Sequence, residues 1–250
     1  MKIKEKTFTK KHLEECDYIK QQARDKFDLT PVNNICLILL KLKELNGKKG
    51  HYVECGTYRG NTLIPSALYA EHYGYFQDQK LIGIDTFKGF PSTTQHDHRD
   101  LPTHFNTLRS QNQITEDHFE KSKLRTENFQ NLSHLENEYF LDTQEVFNNC
   151  SKFKNISLLQ GTFDSITPNF KEKISILHLD GDLYKSYLTC LENLYDNVID
   201  GGVVIFDEYY SHKYPGARVA VNEFFLDKEG YFEKYLTIEG HERWCFIKEI

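Results

Sequence analysis

Five short apolar runs constrain this chain more than any other feature. They are HYVEC at 51–55, KLIGID at 80–85, ISLLQ at 156–160, ISILHLD at 174–180 and GGVVIFD at 201–207, and each leads into polar or glycine-bearing residues. Runs that are nearly continuously apolar, rather than alternating, belong to strands buried on both faces. Helical stretches near 61–73, 142–150, 183–198 and 216–227 fall between most of them. That alternation predicts an α/β fold, a mostly parallel sheet with helices on both faces.

Two further helices are expected ahead of the first strand, at 9–27 and 31–46. The second carries Ile35, Leu39, Leu42 and Leu45 at three- and four-residue spacing, with Pro31 near its start and Gly47 past its end. At the other end, FEKYLTI and RWCFIKE flank the polar turn EGHE and predict an antiparallel hairpin. No internal repeat is visible, and 250 residues suit a single large domain. Within it, residues 1–47 form an N-terminal helical cap, either over a ligand pocket, at a subunit interface, or as ordinary core. Residues 92–141, polar and rich in His, Asn and Gln, read as an inserted lid, because long connections in compact domains are usually lids, binding loops or disorder.

Charge and composition exclude several partners. Lys and Arg total 31 against 37 Asp and Glu, a net charge of −6, so there is no cation excess for a nucleic-acid polyanion. The opening MKIKEKTFTKKHLEE has no apolar h-region, and the longest aliphatic run, Ile35 to Leu42, is interrupted by Lys41 and too short to span a bilayer. A cytoplasmic protein without a membrane partner is expected. Cys16, Cys36, Cys55, Cys150, Cys190 and Cys245 stand far apart with no CxxC pair, which favours buried thiols over a disulfide frame or a zinc site.

Ligands of open α/β sheets sit outside the carboxyl ends of the strands, so the residues after each run carry the chemistry. The first tip reads Glu54-Cys55-Gly56-Thr57-Tyr58-Arg59-Gly60-Asn61-Thr62, an E-x-G-x-x-x-G turn entering a helix. Its glycines permit close backbone approach, and the acid either holds a cationic group or merely ends a strand. The dinucleotide triplet G-x-G-x-x-G is missing, which disfavours a dehydrogenase. Asp85, with Thr86 and Phe87, stands where an acid accepts both ribose hydroxyls or caps a helix. Phe163, after Gly161 and Thr162, lines an adenine slot or packs in the core.

The last two tips bring Asp180 and Asp182 beside Asp207 and Glu208. Adjacent strands lie about 4.8 Å apart, so these acids converge. Crowded carboxylates repel unless protonated or metal-bound, and hard oxygen donors suit Mg²⁺ or Mn²⁺. The plainer alternative is that one or two of them cap helices or pair with Arg218 or Lys213.

Together, YVECGTYRGNT, LIGIDTFKGFP, SLLQGTFDSITP, ILHLDGDLYKSY and GGVVIFDEYYSHKYPGARVAVNEFF resemble the macrocin O-methyltransferase family, S-adenosylmethionine-dependent enzymes that form methyl ethers on sugar hydroxyls. The resemblance implies a class I methyltransferase (Rossmann-like) fold with seven strands, the last antiparallel. It implies a divalent metal on residues matching Asp180, Asp207 and Glu208. It also implies a cofactor site built from Glu54, Gly56, Thr57, Tyr58, Gly60, Asn61, Thr62, Asp85, Thr86, Phe87, Gly161, Thr162, Phe163 and Asp180. Within it Glu54 and Gly56 would hold the methionine part of S-adenosylmethionine, Asp85 the ribose and Phe163 the adenine. Asp180 is the first choice for general base, with Asp182 behind it.

The chain departs from the family pattern at Glu208, Lys185 and Asn222, where relatives often carry Asp, an acid and Asp, and in its longer 92–141 segment. The expected acceptor is a sugar, by preference nucleotide-activated and destined for a surface polysaccharide, alternatively an antibiotic glycoside. Arg99, Arg109, Lys121, Lys123 and Arg125 would suit a phosphorylated acceptor or form a solvated face. His96, His98, His104 and His118 are expected as surface residues. Dimers or larger homo-oligomers follow from the family. The rival enzyme class is a nucleotide-sugar glycosyltransferase using Asp180-Gly181-Asp182 as a D-x-D triplet, and a non-catalytic binding module is the third reading.

Overall fold

The computed structural model describes residues 2–31, 35–90, 93–97, 101–112, 114–116, 119–120, 142–210, 214–236 and 242–249, with the side chains of 101–105 and 210 left aside. Strands β1 (Ile3–Thr7), β2 (His51–Cys55), β3 (Leu81–Asp85), β4 (Ile156–Gln160), β5 (Ile174–Leu179), β6 (Val198–Phe206), β7 (Gly230–Leu236) and β8 (Glu242–Lys248) form one sheet in the order β1-β7-β8-β6-β5-β2-β3-β4. Neighbours from β6 through β4 run parallel, and β8 lies antiparallel to both β6 and β7. The helices are α1 (Lys10–Phe27), α2 (Ile35–Glu44), α3 (Leu63–Tyr73), α4 (Leu101–Ser110), α5 (Thr143–Cys150), α6 (Phe163–Ile166), α7 (Tyr184–Leu194) and α8 (Pro215–Phe224).

The expected parallel sheet and closing hairpin are present, but the sheet has eight strands rather than seven. The extra one is β1, which pairs parallel with β7 from Ile3↔Phe232 to Thr7↔Leu236. Its sequence IKEKT is mostly exposed and carries no apolar run. It is held by backbone pairing, by Lys4 Nζ 3.2 Å above the Tyr231 ring and by a 2.8 Å Glu5–Lys234 ion pair. Charged residues on an edge strand also discourage pairing with another chain.

Successive residues of a strand face opposite sides, so each central strand feeds two cores. Tyr52, Ile176, Val203 and Ile205 pack under α1, α2 and α3. Val53, Cys55, Leu177, Leu179, Val204 and Phe206 pack under α7 and α8. Thr9 caps α1 by accepting the His12 amide at 3.2 Å, and Asp28 ends that helix in a left-handed conformation. All six cysteines are buried and unpaired. No described helix is long and apolar enough to cross a membrane.

Candidate active site

The chain leaves β2 for β3 and β4 on one side, then returns to β5 on the other. A crevice therefore opens between the β2 and β5 tips, the usual ligand position in such sheets. Gly56 makes the closest approach there. Its φ is +100°, and a Cβ on it would lie 1.8 Å from the Asp180 carbonyl oxygen, so no side chain fits. Tyr58 follows with φ 46°. The turn is secured by Asp85, whose Oδ2 accepts the amides of Thr57 and Tyr58, each at 2.8 Å, while Oδ1 accepts that of Phe87 at 2.7 Å. Asp85 is thus the anchor of the glycine turn as well as part of the cavity wall.

The cavity at this crevice has a volume of about 430 Å³. Of the expected cofactor residues, Gly56, Thr57, Tyr58, Asn61, Thr62, Asp85, Thr86, Phe87, Thr162, Phe163 and Asp180 line it, and so do Asp182, Asp207 and Glu208. Gly60 and Gly161 shape the backbone without lining it. Glu54 lies outside the lining as well, fully enclosed within the sheet layer. Gly89, Phe90, Gly181, Ser186 and Tyr214 complete the wall, and the lining contains five carboxylates and no Lys or Arg among the described residues.

Burial and the neighbouring Asp207 charge push the Asp180 carboxyl well above its ordinary range, with His178 working in the other direction. Glu208 is buried and shifted upward likewise, by burial first and then by the charges of Asp207 and Asp180. Its Oε2 meets the Tyr187 hydroxyl at 2.5 Å, and that hydroxyl also lies 2.7 Å from the Leu179 carbonyl. Tyr187 has one proton to share between two acceptors, so a protonated Glu208 satisfies the contact best. Ligand atoms of His178, Asp180 and Asp207 lie within 4.8 Å of one another, whereas Glu208 turns toward Tyr187.

His178 was invisible as a site residue in the sequence, because a histidine inside an apolar strand reads as core. Burial disfavours its charge, but the neighbouring carboxylates of Asp207, Glu54 and Asp180 outweigh this and push its pKa up to about 10. A hard, oxygen-rich donor set with upward-shifted carboxyls, and an Asp207 Oδ1 buried without a hydrogen-bond partner, fits a divalent cation such as Mg²⁺ or Mn²⁺.

Asp97 is a second residue the sequence did not single out. Its buried carboxylate accepts the Tyr184 amide at 2.7 Å and the Thr94 amide at 2.8 Å. A Cβ on Gly216 would come within 2.2 Å of its Oδ1. The start of the 92–141 segment is thereby docked at the N-termini of α7 and α8, and His96 stacks on Tyr184 at 4.2 Å. Arg109 pairs with Glu116 at 2.8 Å. Arg99, His98, His118, Lys121, Lys123, Arg125 and Lys213 lie outside the described residues, as does the side chain of His104. Arg218 lies with its guanidinium 4.3 Å above the Tyr209 ring and donates Nη1 to the Tyr209 carbonyl at 3.1 Å.

Strand order, crevice and glycine turn define a class I methyltransferase fold. The structure of the O-methyltransferase NovP matches it with a TM-score of 0.59 at 22% identity, covering 86% of this chain and 79% of that one. The family model for macrocin O-methyltransferases matches residues 42–233, and this chain belongs to that family. Among curated relatives, mycinamicin III 3''-O-methyltransferase of Micromonospora griseorubida is 25% identical over 78% of this chain. Demethyldecarbamoylnovobiocin O-methyltransferase of Streptomyces niveus is 28% identical over 72% of it. The matches span 67% and 59% of those relatives' own lengths.

Proposed function

We propose that this chain is an S-adenosylmethionine-dependent, divalent-metal-dependent O-methyltransferase acting on a sugar hydroxyl of a small molecule. The observation that carries the reading is that Gly56 and Asp85 line the same cavity as Asp180, Asp182 and Asp207. A cavity with five acids and no described Lys or Arg favours cationic occupants, and the methyl donor is a sulfonium. Thr57, Tyr58, Asn61 and Thr62 would seat its methionine part, Asp85 its ribose and Phe163 its adenine. Glu54 supports this wall from behind instead of touching the cofactor's amino group directly.

Asp180 and Asp207 would hold Mg²⁺ or Mn²⁺, with the buried Glu208, turned toward Tyr187, next to them. When bound, such an ion lowers the pKa of a coordinated hydroxyl and fixes its position. In methyl transfer a C–O bond forms as the C–S bond breaks, and the hydroxyl proton must leave. Asp180 would take that proton, with Asp182 beside it in the cavity wall. The protein otherwise contributes orientation and exclusion of water.

The relatives' names place their methylation on mycinamicin III and demethyldecarbamoylnovobiocin. These relatives favour a glycoside acceptor over a nucleotide-activated sugar for polysaccharide assembly. Calorimetric titration with S-adenosylhomocysteine and, separately, a nucleoside diphosphate tests the class. Binding of the former alone is expected, and binding of the latter alone would indicate a glycosyltransferase. In the methylation assay with a panel of glycosides, EDTA should stop product formation and Mg²⁺ or Mn²⁺ should restore it. Activity indifferent to chelation would remove the metal from the proposal.

A further inference from the structure

A line of enclosed polar side chains crosses the sheet behind the cavity wall. Tyr52 and Glu54 share one face of β2, and His178 of β5 stands opposite Glu54 in the strand register. All three are fully buried in a layer that includes Ile176, Val203 and Ile205. Tyr52 donates its hydroxyl proton to Glu54 Oε2 at 2.5 Å, and Thr62 Oγ1 donates to the same oxygen at 2.7 Å. His178 Nδ1 lies 3.1 Å from the Tyr52 oxygen and 3.4 Å from Glu54 Oε2. Because the only tyrosine proton is committed to Glu54, the proton at Nδ1 belongs to the ring.

The other ring nitrogen, Nε2, faces Asp207 Oδ1 at 3.7 Å. Both atoms are buried and have no hydrogen-bond partner. Enclosing such groups costs about 1–3 kcal/mol each when they stay unsatisfied, so this layer would be cheaper if apolar. His178 itself does not line the cavity, whereas Asp180 and Asp207 do. An ion entering from the cavity meets these carboxylates first, with the imidazole behind Asp207.

We propose that Tyr52, Glu54 and His178 form a strut that positions Asp207 to hold the divalent cation, with His178 acting through Asp207 and not as a ligand. Thr62, at the start of α3 and in the cavity wall, ties the strut to the glycine turn, so the cofactor wall and the metal-binding carboxylate share one support. The inference rests on the metal reading above and assigns the acid of the E-x-G motif to the metal side of the site.

The test is Mn²⁺ titration, followed by electron paramagnetic resonance, of protein loaded with S-adenosylhomocysteine. His178→Gln and Glu54→Gln should each weaken Mn²⁺ binding by about 10–100-fold, the usual effect of losing a ligand's supporting partner. Affinity for S-adenosylhomocysteine in His178→Gln without Mn²⁺ should stay within about twofold of wild type, a separation a general packing defect would not produce. Spin-echo spectra of the wild-type Mn²⁺ complex should show no ¹⁴N coupling. Tyr52→Phe keeps the ring volume and guards against misfolding of the other variants; it should lose at least roughly threefold in Mn²⁺ affinity. Unchanged or tighter Mn²⁺ binding in these variants overturns the strut, and ¹⁴N coupling makes His178 a ligand instead. Wild-type protein that takes up no Mn²⁺ defeats the metal reading itself, a failure distinct from equal binding by wild type and variants.

Discussion

Gly56→Ala offers a sharp test of how the crevice is built. Two costs add at this position. An L side chain at a positive φ is strained by about 1–2 kcal/mol. The new Cβ would also lie 1.8 Å from the Asp180 carbonyl oxygen and 2.6 Å from its carbonyl carbon, both backbone atoms that cannot rotate away. Ordinary contact needs the β2 and β5 tips to part by more than about an ångström, and overpacking of this kind typically costs about 1–3 kcal/mol. The sum is about 2–5 kcal/mol, which for a chain this size lowers Tm by roughly 4–20 °C. Parting the tips also moves Asp180, so S-adenosylhomocysteine affinity should fall more than about tenfold. Differential scanning fluorimetry and calorimetry read the two effects. Gly47→Ala is the control: φ is +83° there, but nothing lies within 4 Å of the added Cβ, so only the strain should register and ligand affinity should hold. A Gly56→Ala protein with wild-type Tm and affinity would refute the close approach.

Asp85→Asn replaces one of two amide-accepting oxygens with a donor facing a backbone N–H; S-adenosylhomocysteine affinity should drop about tenfold or more by calorimetry, and no change would mean the turn holds without it. Tyr187→Phe leaves the buried Glu208 Oε2 without its hydroxyl partner and should cost about 1–3 kcal/mol in denaturant unfolding. Lys41→Met leaves the buried Glu233, now 2.6 Å from Lys41 Nζ, without its main partner and should cost about 3–5 kcal/mol in the same assay. The same pair sets an acid limb. Burial raises the Glu233 pKa, but Lys41 more than offsets this and holds it below its ordinary 4.5. Its contribution to stability is therefore complete above about pH 4.5 and disappears as pH falls through the lowered folded value, and Lys41→Met should flatten that part of the stability–pH curve.

The parallel core of the sheet was legible because β2, β3, β5 and β6 are apolar runs with polar ends, and a strand buried on both faces needs that composition. The tip acids were legible for the same reason, since each directly follows such a run. β1 was not, because IKEKT is held by pairing, a cation–π contact and an ion pair at a sheet edge, none of which leaves a periodic signal. Glu54 was recognised as important, but its placement depends on strand register. Pairing with His178 turns it into the sheet layer instead of the cavity. Asp97 stayed hidden because its partners, the Tyr184 amide and Gly216, lie about ninety to one hundred and twenty residues away in sequence. In each missed case the determining contact was long-range.

The central claim is that acids from two neighbouring strand ends hold a divalent cation next to the methyl donor. Crystals grown with S-adenosylhomocysteine and Mn²⁺, with anomalous data collected near the manganese edge, test it most directly. The account predicts a single strong anomalous peak between the Asp180 and Asp207 carboxylates, in the same cavity as the thioether sulfur. Electron density for S-adenosylhomocysteine with no manganese peak at those carboxylates, or with the ion bound elsewhere, would contradict it.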